Sequence, residues 1–148
     1  MNIYFICTGN TCRSPMAEAI LRSKAGVGLN VRSAGVSGVD GMPISANAKT
    51  LIEASDMPYT PLSRAVTKED LEWADLILTM TMSHKSVLLY SFPEVESKTF
   101  TLKEYVKPNG NQDVHDPYGG SLGTYRTTFD ELEELIELLM KKLTEDGT

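Results

Sequence analysis

The chain has 148 residues, 41% hydrophobic and 23% charged, with a formal net charge of -6. That length supports one domain, residues 1–148, with a real core, and no apolar run is long enough to cross a bilayer. The acidic balance excludes generic nucleic-acid binding, which needs a basic footprint, though not a small anionic substrate held in a locally positive site.

Asn2 to Ile6 is almost wholly apolar and predicts a strand buried on both faces. Ser14 and Pro15 read as the N-cap and first residue of a helix that continues through Met16, Ala17, Ala19, Ile20 and Leu21 to Gly26. Val31 to Ala34 predicts a second strand, followed by a glycine-rich loop over Gly35 to Gly41. Ser45 to Ser55 predicts a helix with Ala48, Leu51 and Ile52 inward, and Thr67 to Asp70 a capped helix start. A third strand is expected over Asp75 to Met80, a helix over Met82 to Tyr90 and a fourth strand over Lys98 to Leu102. Lys107 to Gly120 is a long polar loop, of the length that tends to carry function. Leu122, Tyr125, Phe129, Leu132, Ile136, Leu139 and Leu143 then alternate spacings of three and four, an amphipathic stripe that packs a last helix on the sheet. Strands alternating with helices give an α/β fold with a parallel sheet, whose ligands bind beyond the carboxyl ends of the strands.

The loop after the first strand lies at that position. It reads Cys7-Thr8-Gly9-Asn10-Thr11-Cys12-Arg13-Ser14-Pro15. Gly9 and Asn10 accept tight or left-handed backbone angles, which lets successive N–H groups converge on an anion. Arg13 has the planar fork to clamp two phosphate oxygens. The helix N-terminus and Arg13 are both expected to lower the Cys7 pKa and favour a thiolate nucleophile. A thiolate attacking phosphorus needs an acid on the far side, and Asp116, ahead of Pro117 and Tyr118 in the long loop, is the candidate. Both cysteines sit in this loop, so a disulfide scaffold is excluded. Cys7 and Cys12 are five apart, and His84 and His115 stand alone with no evident partner, so no metal or other cofactor is expected. Trp73, Met80 and Met82 read as core or boundary residues, and the glutamates from Glu131 to Glu137 as a solvated helix face. The N-terminus carries no basic segment ahead of an apolar one, so no signal peptide and a cytoplasmic location are expected.

The chain resembles the low-molecular-weight protein tyrosine phosphatase family over nearly its whole length. The resemblance rests on Cys7 to Glu18, Ser33-Ala34-Gly35, Ala74 to Met80 and Asp116-Pro117-Tyr118. It implies a four-stranded parallel sheet with helices on both faces. It also implies Cys7 as nucleophile, Arg13 as phosphate clamp and Asp116 as general acid, then base. Thr8, Gly9, Asn10, Thr11, Cys12, Ser14 and Tyr118 would complete the substrate-binding site. Ser14 would donate to the Cys7 sulfur, and Asn10, supported by Ser33, would hold the loop in shape. Three positions depart from the tyrosine-specific pattern: Thr11 replaces a larger aliphatic residue, Gly119 a second aromatic, and Pro61 a histidine that often supports the loop asparagine.

Thr11 and Gly119, with Phe100 to Tyr105 and Gly119-Gly120-Ser121, look like the bacterial protein arginine phosphatase branch. The implied activity is hydrolysis of phosphoarginine in proteins through a phosphocysteine, with phosphotyrosine the alternative. A polar Thr11 suits a guanidinium, whose N–H groups an aliphatic wall would strand. Cys12 reads either as packing under the loop or as the thiol that captures an oxidised Cys7 in a disulfide. Arsenate reductases share the opening loop but need downstream cysteines, which are absent here. A phosphocysteine carrier would not need Asp116, and a non-catalytic phosphoprotein-binding module would need neither Cys7 nor Asp116. The expected partners are phosphorylated proteins, without nucleic acid or membrane, acted on by a monomer.

Overall fold

The computed structural model describes residues 1–25 and 28–145. Four strands, β1 (Asn2–Cys7), β2 (Asn30–Gly35), β3 (Leu76–Thr79) and β4 (Thr99–Thr101), form one sheet in the order β2-β1-β3-β4. All three pairings are parallel, with Cys7 opposite Gly35 and Ile6 opposite Thr79. β1 is central, and the chain leaves it toward β2 and later returns on its other side as β3. The loop after β1 therefore opens at the point where the winding reverses.

Among the described residues six α-helices flank the sheet: α1 (Arg13–Lys24), α2 (Ala46–Ala54), α3 (Lys68–Trp73), α4 (Met82–Ser91), α5 (Leu102–Val106) and α6 (Leu122–Glu145). The strand pleat sorts the core between two faces. Ile3, Phe5 and Leu78 pack with Met16, Ile20, Phe129, Leu132 and Ile136 on the α1 and α6 side. Tyr4, Ile6 and Ile77 pack with Leu71, Leu88 and Val95 on the α3 and α4 side. Fully burying each such side chain stabilises by about 1.5–3 kcal/mol, so both layers are held by the same alternating strand.

The predicted strands all form, each within two residues of its expected ends, and several boundaries differ for physical reasons. α1 starts at Arg13, and Cys12, with φ -127° and ψ -85°, occupies the N-cap position without a side-chain cap. Ser14 is thus not the cap; its hydroxyl is engaged with Cys7 instead. Pro15 is then the third helical residue, where its missing N–H is still one of the unpaired first four. The expected helix end at Gly26 lies outside the described residues. Leu102 belongs to a helix rather than to β4, because Thr101 and Glu104 form a reciprocal capping box: the Thr101 hydroxyl accepts from Glu104 N and the Glu104 carboxylate from Thr101 N. Leu122 is 45% exposed and falls out of the stripe, whereas Leu135 joins it. Glu131 and Glu137 are not merely solvated, since they pair with Lys103 and Lys24 at 2.9 and 2.7 Å. Among the described residues no helix is long and apolar enough to cross a membrane.

Candidate active site

Cys7 ends β1 at the bottom of a cleft of about 240 Å³. Thr8, Gly9, Thr11, Cys12 and Arg13 form its walls, and Asp116 and Tyr118 its rim. Asn10 and Ser14 are not on the cleft surface; both are buried behind the loop and hold it. A larger open groove, about 710 Å³, runs past Arg64 and Asp70 and reaches none of Cys7, Arg13 or Asp116.

The loop's shape comes from Asn10, which takes φ 57°. Asparagine tolerates this left-handed angle because its short side chain can bond locally. Gly9, the other residue expected to turn the chain, stays out of that region. Asn10 Oδ1 accepts from the Arg64 main-chain N–H at 2.8 Å, a donor whose direction is fixed, so Nδ2 must point the other way. Its two hydrogens go to Ser14 Oγ at 2.8 Å and Ser33 Oγ at 2.9 Å. Ser33 passes its own hydrogen to Glu18 Oε1 at 2.6 Å. The other Glu18 oxygen meets the Thr60 hydroxyl and Arg22 at 2.6 and 2.8 Å, which satisfies a carboxylate that is 3% exposed. The Arg64 backbone thus anchors Asn10 directly, and the network closes with proline rather than histidine at position 61.

Because Ser14 Oγ accepts from Asn10, its own hydrogen is free for the Cys7 sulfur, 2.8 Å away. Main-chain N–H groups of Ser14 and Asn10 also reach that sulfur, and Arg13 adds positive charge. The expected net lowering of the Cys7 pKa is nevertheless reversed: burial pushes the thiol up and outweighs these groups. Each of the four still favours the thiolate over the thiol.

Arg13 is itself 5% exposed. Its Nη1 donates to the Val114 carbonyl at 3.1 Å, which leaves the rest of the fork facing the cleft. Nη2 stands 3.7 Å from Asp116 Oδ2. The Asp116 side chain is 57% exposed, so this pair contributes at most about 1 kcal/mol and serves to orient the carboxylate over the mouth. Asp116 Oδ1 accepts from the Tyr118 N–H at 3.0 Å, a turn that places the Tyr118 ring, 79% exposed, beside the opening.

The long loop is tied down on both sides. Asp113 Oδ1 accepts from Met82 N at the start of α4, at 2.9 Å, and Val114 N donates to the Met80 carbonyl at 2.8 Å. His115 turns away from Asp116 to α6, where Nδ1 meets Thr128 Oγ1 at 3.0 Å. Cys12 lies against the Tyr125 hydroxyl at 3.2 Å, and burial followed by that contact pushes the Tyr125 phenol above its ordinary pKa.

Two participants escape sequence reasoning. Arg64 acts through its backbone, which no side-chain pattern announces. His84 is buried, not solitary: its Nε2 is 2.7 Å from Thr8 Oγ1. Burial, then the charge of Arg13, pull its pKa down to about 4. The only local signal for its position is Thr81, three residues earlier, which caps α4 through the His84 N–H.

Known proteins resemble this chain over its whole length. Residues 2–148 match the family described as low molecular weight phosphotyrosine protein phosphatase. A protein-arginine-phosphatase of Bacillus subtilis is 45% identical over 99% of this chain and 99% of its own. The low molecular weight protein-tyrosine-phosphatase PtpB of Staphylococcus aureus is 42% identical over 92% of this chain and 94% of its own. A solved structure of the YwlE arginine phosphatase, a cysteine-to-serine variant with a phosphorylated active-site serine, superposes with a TM-score of 0.93 at 44% identity, covering 99% of this chain and 97% of its own. With Cys7, Arg13 and Asp116 assembled at one end of the sheet and the likeness running over residues 2–148, the chain belongs to the low molecular weight phosphotyrosine protein phosphatase family.

Proposed function

We propose that this phosphatase hydrolyses phosphoarginine in proteins, with Cys7, Arg13 and Asp116 as its catalytic residues. The observation that carries the reading is Thr11, which lines the cleft together with Cys7, Arg13 and Asp116. A guanidinium keeps N–H groups beside the phosphorus, and a polar wall leaves them a partner where an aliphatic one would strand them. Gly119, with φ 78° and open space about it, leaves the rim beyond Tyr118 bare.

In the first step the Cys7 thiolate attacks phosphorus in line, the S–P bond forms and the P–N bond breaks. Asp116 gives its proton to the leaving nitrogen. Loop N–H groups and the Arg13 fork hold the equatorial oxygens as charge builds. In the second step Asp116, now a carboxylate, takes a proton from water, the O–P bond forms, the S–P bond breaks, and phosphate leaves with the Cys7 thiolate restored. Thr8, Gly9, Thr11 and Cys12 wall the substrate, and Tyr118 stacks on the side chain that carries the phosphoryl group.

Phosphotyrosine is the second reading, supported by the name of the Staphylococcus relative and by Tyr118, which can stack on a phenyl ring as well as on a guanidinium. Rates on matched phosphoarginine and phosphotyrosine peptides separate the two. A preference for phosphoarginine that Thr11→Ile erases or reverses is expected. A phosphotyrosine preference indifferent to Thr11→Ile would sink the arginine reading.

Residues 1–148 act in this reading as one phosphatase domain, a cytoplasmic monomer that engages phosphoproteins and neither nucleic acid nor membrane. The net charge of -6 supports the absence of a nucleic-acid partner. Cys12 serves as a resolving thiol: peroxide oxidises Cys7 to the sulfenic acid, and the Cys12 thiol displaces water to give a disulfide. Intact mass after mild peroxide should fall by two hydrogens and recover with reductant; addition of oxygen alone would refute the switch.

A further inference from the structure

Thr8 follows the nucleophile and lines the cleft. Among the described residues its hydroxyl has one hydrogen-bonding partner, His84 Nε2 at 2.7 Å. His84 lies in the first turn of α4, 6% exposed, with its own main-chain N–H held by Thr81 Oγ1 at 3.0 Å. A capped helix start therefore delivers the ring to the loop. On the other side of the ring, Nδ1 is buried and finds no partner among the described residues.

The partner at Nε2 and the lack of one at Nδ1 decide where the imidazole proton sits. On Nδ1 it would be a stranded buried donor, while Nε2 accepted from Thr8. On Nε2 it is used, and only an acceptor is left unpaired at Nδ1. Stranded buried N–H groups are rarer in folded proteins than under-satisfied acceptors. Burial and Arg13 hold the ring neutral well below pH 7, so one tautomer persists through the neutral range. With Nε2–H donating, Thr8 Oγ accepts, and its own hydrogen is free to turn toward the cleft.

We propose that His84 is a positioning residue for phosphoryl transfer: by donating Nε2–H to Thr8 it aims the Thr8 hydroxyl at a phosphoryl oxygen held over Cys7. Thr8 then adds a side-chain donor to the N–H groups of the loop, oriented before the substrate arrives. The proposal rests on the reading of the Cys7–Arg13 loop as the phosphoryl site.

The test is steady-state kinetics on a phosphoarginine peptide for the wild type, Cys7→Ser, Thr8→Val, His84→Ala, His84→Gln and the Thr8→Val/His84→Ala double variant. Thr8→Val and His84→Ala should each lower kcat about 10-fold with KM nearly unchanged. The double variant should be no worse than the poorer single one, because both remove the same donor. His84→Gln, whose amide N–H can replace Nε2–H, should recover most of the loss. Nitrogen-15 NMR of the histidine rings should place the His84 proton on Nε2. A proton on Nδ1, additive losses, or a glutamine variant no better than alanine would overturn the proposal. Thr8→Val keeps the threonine volume, so it and the NMR result stand even if His84→Ala misfolds. If Cys7→Ser kept wild-type turnover, the loop reading itself would fall. If Cys7→Ser were dead while Thr8→Val and His84→Ala matched the wild type, only the role of His84 would fall.

Discussion

At the cleft floor, one sulfur atom is set between opposing influences. Burial disfavours the Cys7 thiolate, and the groups aimed at it are what make the charge tolerable. Ser14 is the most directly tested of these. Its hydroxyl hydrogen is committed to sulfur because Asn10 already supplies the hydrogen that Ser14 Oγ accepts. Ser14→Ala removes that donor and leaves the charge-disfavouring burial in place, so the Cys7 pKa must rise further. The expected result is an alkaline shift in the pH dependence of Cys7 alkylation by iodoacetamide, with a fall of about 10-fold in kcat/KM at neutral pH. An unchanged or acid-shifted alkylation profile would show that Ser14 does not favour the thiolate.

The loop also depends on how closely elements approach one another, and here β2 is decisive. Gly35 lies opposite Cys7 at the end of β2. A Cβ there would press on the Thr8 carbonyl oxygen and come within 2.8 Å of Asn10 N, both backbone atoms of the phosphate loop. No rotamer relieves such a clash, so the loop must move. Gly35→Ala is expected to cost about 1–3 kcal/mol of stability and at least about 10-fold in kcat/KM, read by urea unfolding and peptide kinetics. Wild-type values for both would mean the loop has slack that the packing denies. This contact marks the limit of what the sequence made legible. Local periodicity located β1, β3 and α6, because buried strands and amphipathic helices write their burial into neighbouring residues. Apolar spacing at Ala48, Leu51 and Ile52 located α2, and cap chemistry at Thr67 located the start of α3. The Cys7 to Arg13 loop was legible because its residues are contiguous. The Thr101 to Glu104 capping box was also written in the chain, yet a short β-branched run masked it, and Leu102 was read as strand. Arg64, His84 and the His115–Thr128 tie were not legible at all: each depends on residues far apart in sequence meeting across the fold, and on backbone atoms or tautomers that no residue pattern encodes.

Across the whole molecule, Cys7 and Asp116, the proposed nucleophile and acid, lie far apart in the chain and are held by different supports. The Cys7 loop is braced from below by Asn10, Ser33, Glu18 and Arg64. Asp116 sits on a loop strapped to α4 through Asp113 and to α6 through His115. Arg13 joins the two directly, to Val114 and to Asp116, and the loop also meets α4 through Thr8–His84 and α6 through Cys12–Tyr125. None of these links passes through Thr128, so Asp116 should be separable from Cys7 by a change there. Thr128 is fully buried on α6, and its hydroxyl meets His115 Nδ1 at 3.0 Å. Thr128→Val keeps the shape and removes that tie, loosening the segment that carries Asp116 while the His115 N–H still donates to Glu131. A general acid misplaced by about 1 Å loses much of its effect, so kcat on a phosphoarginine peptide should fall several-fold, up to about 10-fold. The rate of Cys7 alkylation and its pH dependence should stay at the wild-type level, because nothing beneath the sulfur has changed. If alkylation shifted along with kcat, the two supports would be one network, and α6 would govern the nucleophile as well as the acid.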